Sequence, residues 1–121
     1  FRMHRQTLEC HDIVSRAFVR ATHVDRDNKR VLAAAFILRH QEQELSVKYE
    51  CSPDQCAGQF NKCYGVASLH VGRVRNLGLD VLPDDAHHAN IVGLPSPDND
   101  PAEAERFARQ LRAQARLVWH K

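Results

Sequence analysis

The apolar and polar positions of this chain fall into short segments whose period changes repeatedly. Residues 45–50 alternate cleanly, Leu45, Val47 and Tyr49 against Ser46, Lys48 and Glu50, which is the pattern of a half-buried strand. Residues 16–24 alternate with β-branched content, Ala17, Val19 and Ala21 against Phe18, Arg20 and Thr22, and read as a strand. A weaker alternation over residues 1–6 reads as a first strand, and residues 7–14 as a short helical turn capped by Thr7. Residues 31–38, VLAAAFIL, are buried in either conformation and are assigned to a strand from their length and position. The polar runs DRDNK and HQEQE on either side of them are turns.

The best-patterned stretch is residues 64–94. It reads as a strand at 66–69, a short helix at 71–77 with Val71, Val74 and Leu77 on one face, and Gly78 as a left-handed cap. A strand at 79–82 ended by Pro83, a DDAHH loop and a strand at 90–94 follow. Two helices carry clear start signals. Ser52-Pro53-Asp54-Gln55 forms a capping box with proline at the first helical position, opening a helix over 53–62 with Cys56, Ala57, Phe60 and Cys63 on its apolar stripe. Asp100-Pro101 with Glu103 opens a second over 101–118, its apolar face being Ala104, Phe107, Ala108, Leu111, Ala115 and Val118.

These elements predict an α+β domain spanning residues 1–121, with a mixed or mainly antiparallel sheet of about five or six strands and the two main helices packed on one face. A length of 121 residues with 43% hydrophobic and 26% charged side chains fits one globular domain. The longest apolar run is too short to span a bilayer, and no secretory leader is read at Phe1, so the expectation is a soluble, cytoplasmic protein with no membrane partner. Reduced thiols at Cys10, Cys51, Cys56 and Cys63 agree with that compartment; their spacing lacks the close pairs of structural zinc sites, and they read as small buried hydrophobes.

Charge adds a surface. The net charge is +2, and residues 101–121 carry five basic and two acidic side chains, whereas residues 51–100 carry three and six. Arg106, Arg109, Arg112 and Arg116 recur at helical spacing opposite the apolar face, a cationic stripe suited to a nucleic-acid backbone or an acidic protein. The leading expectation is therefore a binding or accessory module that engages a protein or nucleic-acid partner through this basic C-terminal helix, with the 84–88 loop assisting; the oligomeric state is left open.

The alternative is a small metal-independent enzyme acting on phosphodiesters or nucleotides. His4, His70, His87 and His88 would supply acid and base, and Arg73 or Arg75 would hold phosphate. That chemistry requires two of those histidines and an arginine in one cleft. A second alternative is metal binding, through the cysteines or through Asp84, Asp85, His87 and His88. The His11-Asp12 dipeptide lacks the further ligands of metal phosphohydrolases. There is no glycine-rich phosphate loop and no Gly-x-Ser-x-Gly elbow, and no cofactor is expected.

Overall fold

A computed structural model describes residues 5–121. In chain order its elements are β1 (Ile13–Phe18), a 3-10 turn (Ala21–His23), β2 (Val24–Asp25), β3 (Arg30–Val31), a second 3-10 turn (Ala33–Phe36), β4 (Leu45–Tyr49), α1 (Pro53–Gly58), β5 (Gly65–His70), α2 (Val71–Asn76), β6 (Asp80–Asp85), β7 (His88–Val92), α3 (Pro101–Gln114) and β8 (Arg116–His120). Six strands form one antiparallel sheet in the order β6-β7-β4-β1-β5-β8, and β2 pairs with β3 in a separate ribbon. The fold class is thus α+β with an antiparallel sheet. Among the described residues no helix is long and apolar enough to cross a membrane.

Alternation along the strands sends side chains to two different cores. Val14 and Phe18 of β1, Leu45, Val47 and Tyr49 of β4, Ala67 and Leu69 of β5, and Ala89 and Ile91 of β7 are buried in one cluster with Phe36, Val71, Val74, Ala108 and Leu111. That face is covered by α2, α3 and the Ala33–Phe36 turn. The opposite face is covered only in part: Val66 of β5 packs with Cys56, Ala57 and Cys63, against Ala17 and Trp119. The two main helices therefore divide between the faces instead of sharing one. The reason lies in β5, whose consecutive Val66 and Ala67 are both fully buried and must each meet a different layer.

Several local expectations change. Residues 31–38 are buried at Val31, Ala35, Phe36 and Leu38, yet only Val31 is in a strand. The rest turns through a 3-10 helix, which the three alanines tolerate better than a pleated ladder does. The strand expected at 16–24 runs instead from Ile13 to Phe18, with Val14 and Phe18 inward and Val19 exposed. No helical turn is capped by Thr7; Asp12 accepts from the Glu9 N–H and closes a turn there. The strand expected at 1–6 lies outside the described residues at 1–4 and is absent at Arg5 and Gln6.

Pro83 does not end β6, because β6 is an edge strand and can spare an N–H. The DDAHH segment is a hairpin, with Asp84 and Asp85 on β6, His88 on β7 and only Ala86-His87 between them. α1 has its capping box but stops at Gly58, four residues short of expectation. α3 stops at Gln114, and the chain turns to pair β8 with β5.

Two glycines give opposite expectations for stability. An alanine Cβ at Gly72 would sit 2.9 Å from the Cys10 carbonyl oxygen, backbone that cannot yield cheaply, whereas at Gly58 nothing lies within 4 Å. Gly72→Ala is expected to lower stability by about 1–3 kcal/mol, and Gly58→Ala to raise it by up to about 1 kcal/mol. Denaturant midpoints of the two variants check both signs.

Candidate binding clefts on the open sheet face

Cross-strand register sets one row of polar side chains across the partly covered face. Lys48 pairs with His88 on β7 and with Ser15 on β1; Ser15 pairs with Ser68 on β5, and Ser68 with Arg116 on β8. All of these positions carry polar side chains on the face away from the main core. α1 lies over β1, β5 and β8, and clefts remain beside it.

The first cleft, of about 620 Å³, lies between β1, β5, β8 and the start of α2, and is lined by Ser15, Glu50, Ser68, His70, Arg73 and Arg116 together with Cys51, Pro53 and the apolar Ile13 and Val118; the Glu50 carboxylate is itself paired with Arg5. β8 enters this cleft because α3 ends at Gln114: Arg116 becomes a strand residue opposite Ser68, Val118 shares its wall by strand alternation, and the register irregularity between Val66 and Ala67 turns Trp119 toward Val66 while Leu117 packs on the main core. Arg73 is carried by the exposed face of α2. Neither Arg73 nor Arg116 has a carboxylate partner among the described residues. Gln114 also lines the cleft, and its Oε1 is buried with no hydrogen-bond partner among the described residues.

The second cavity, of about 550 Å³, is lined by Lys48, Gln59, Asp84, Asp85, Ala86, His87 and His88. Asp84 is its organising group: one carboxylate oxygen meets His88 Nδ1 at 2.5 Å and the other accepts from Asn90 Nδ2 at 2.8 Å. Partial burial pushes the Asp84 carboxyl up, but the bonds from His88 and Asn90 together outweigh it and hold the group below the usual carboxylate range. With Nδ1 engaged, His88 presents Nε2 as its free nitrogen. His87 is fixed differently. It sits at a left-handed φ of 64°, its Nδ1 lies 3.2 Å from the Tyr49 carbonyl, and its own carbonyl accepts from the Tyr49 N–H. Tyr49 in turn accepts from the Arg5 N–H and donates to the Asp85 carbonyl, so this hairpin tip is clamped to β4 and the N-terminal segment.

The remaining sequence candidates disperse. Arg75 does not face either cleft: it donates to Asp80 at 2.9 Å and to the Leu8 carbonyl at 2.6 Å, tying the N-terminal segment to α2 and β6. The four-arginine stripe does not form. Arg106 is held by Glu103 and lies over Phe107, Arg109 is held by Glu105, Arg112 donates to the Val31 carbonyl, and Arg116 has left the helix for the opposite side of the sheet. His70 shares its cleft with two arginines but no second histidine, and His87 and His88 share theirs with Lys48 but none of the candidate arginines. His4 lies outside the described residues. Among the described residues no group of three or more His, Cys, Asp and Glu side chains is placed to hold a metal ion. All four cysteines are free thiols, with Cys56 and Cys63 buried, and burial pushes the Cys56 thiol up to about 11.

Sequence reasoning passed over Lys48, Ser15, Ser68 and Arg16. Lys48 reads as the outward half of an alternating strand, Ser68 falls in a strand and Ser15 just before the strand expected from residue 16, with nothing to say that their rows align. Arg16 fills the place where β1 and β4 diverge, donating to the Ala35 and Ser46 carbonyls at 3.1 and 2.7 Å; burial lowers its pKa to about 10, so it stays cationic. In comparisons with known proteins, no family model, no curated protein and no solved structure matches this chain.

The Arg75 tie makes a pH prediction. The Arg75 guanidinium holds the Asp80 carboxyl below its usual range, so the pair contributes stability above the unfolded carboxylate pKa, and that contribution is lost as pH falls through the folded value. Asp80→Asn is expected to be less stable than the parent at neutral pH, with the difference shrinking below about pH 4. Thermal midpoints of the two proteins across an acid series measure this; a constant difference down to strong acid would contradict it.

Proposed function

We propose that this chain is a binding module that engages a protein partner through an anionic group, a phosphate or carboxylate, seated in the first cleft. The observation that carries this reading is that Arg73 and Arg116, two guanidinium groups without carboxylate partners among the described residues, line one cleft together with His70. Planar guanidinium groups match the paired oxygens of phosphate and carboxylate. The rim favours a protein over a nucleic acid. Ile13 and Val118 are 51% and 38% exposed beside the cations, which suits a peptide that brings apolar side chains along with its charge. Phe, Tyr and Trp are absent from the cleft lining, so nothing there offers a stacking platform for bases.

Titration of the protein with a phosphoserine peptide, its glutamate analogue and an oligonucleotide of equal charge tests this. The expected result is binding of the peptides, weakened about tenfold or more by Arg73→Ala or Arg116→Ala and by raised salt, with Arg109→Ala neutral. Tighter binding of the oligonucleotide would move the partner class to nucleic acid, and peptide affinity unchanged in both cleft variants would remove the cleft from the reading.

The Asp84–His88 pair favours a second reading, an enzyme acting on phosphodiesters. In it His88 Nε2 takes a proton from the attacking hydroxyl as its oxygen bonds to phosphorus, the P–O bond to the leaving alcohol breaks and that alkoxide takes a proton from His88 or from water. Asp84 fixes the ring, and the Lys48 ammonium balances the charge of the phosphate. An oligoribonucleotide and an activated aryl phosphodiester are the substrates to try. This reading expects turnover that His88→Ala reduces about a hundredfold or more; no turnover by the parent protein, or equal turnover by the variant, would retire it.

A further inference from the structure

We infer that the partner segment binds as an added strand on the free edge of β8, so that the cleft reads the side chains of an acidic, extended peptide. This rests on the binding reading and specifies its geometry. Among the described residues the sheet ends at β6 on one side and β8 on the other. An edge strand offers a row of unpaired N–H and C=O groups, and proteins guard such edges with proline, charge and bulges.

The two edges are treated differently. β6 carries Pro83, which lacks a donor, the acidic side chains Asp80, Asp84 and Asp85, and a register shift between Pro83 and Asp85. β8, Arg-Leu-Val-Trp-His, has no proline and no acidic residue, although like β6 it carries an extra residue, Val118, where its pairing with the neighbouring strand shifts. The β2–β3 ribbon lies beside β8, with β3 packed near it and the Arg26 guanidinium donating to the Lys121 carbonyl, but it forms a separate sheet and makes no strand pairing with β8.

β8 is also a wall of the first cleft. A strand laid antiparallel or parallel on it would set its side chains about 5 Å from those of β8, placing one of them next to Arg116 and another near Val118. Main-chain bonds would supply affinity, and these two side-chain places the preference for acid and aliphatic residues. Charge selects the occupant. Arg116 and Lys121 give this edge positive charge and no acidic residue, so an acidic strand complements it better than a second copy of β8 does.

The test uses the whole chain, a peptide of alternating glutamate and valine, and a peptide of the same composition and charge interrupted by proline. Amide hydrogen exchange of β8 and affinity are read together. The alternating peptide is expected to bind and to slow exchange in β8 but not in α3, and the proline-interrupted peptide to bind about tenfold more weakly or worse. Equal affinity for the two peptides, or binding without protection of β8, would overturn strand addition while leaving the anionic cleft standing. Binding of neither peptide, together with none of the phosphoserine peptide, would remove both. Self-association that protects β8 without any peptide would make a second copy the occupant and overturn the proposal.

Discussion

β5 is buried on both faces at once, and the rest of the architecture follows from that. Val66, Ala67 and Leu69 are each fully buried, so one short strand needs a layer above it and a layer below. The lower layer is large, built from α2, α3, a 3-10 turn and the inward side chains of β1, β4, β5, β6 and β7. The upper layer is small, little more than Cys56, Ala57 and Cys63. A six-residue helix cannot cover a six-stranded sheet, so the same requirement that fixes β5 leaves polar rows open on either side of α1. The clefts are what remains after the smaller core is closed.

The charged groups sort by what they are bonded to. Arg5, Arg16, Arg75 and Arg112 are fastened to carboxylates or backbone carbonyls and hold segments distant in sequence together. Arg106 and Arg109 are paired with carboxylates within their own exposed helix face, where solvent screens such pairs. Arg73, Arg116 and Lys48, which line the two clefts without a carboxylate partner among the described residues, are left for a ligand. A stripe of arginines along a helix says nothing about this sorting until the neighbours are known.

The clamped hairpin tip illustrates the division between positioned and positioning groups. His87 and Tyr49 exchange bonds in both directions and leave little of either for chemistry. Asp84, next to them, is bonded through both oxygens to His88 and Asn90, which orients the His88 ring toward the cavity. Sequence adjacency gave His87 and His88 the same candidate role; the place of His87 in the turn and of His88 on β7 gives them different ones.

The sequence by itself determined the fold class, the capping box of α1, the start of α3, the left-handed Gly78, the half-buried β4 and nearly all of the core, because these depend on local propensity and on a period that one segment carries alone. It also singled out His70, Arg73, His88 and Arg116 without being able to pair them. Tertiary structure decided the rest. The end of α3 and the strand after it depend on β5 offering an edge, the conformation of residues 31–38 depends on what packs against them, and the faces taken by α1 and α3 depend on the pleat of a strand elsewhere. Which cations are free depends on carboxylates far along the chain. Burial and charge are legible one residue at a time, whereas register and partnership belong to pairs of segments, and a site is made of partnerships.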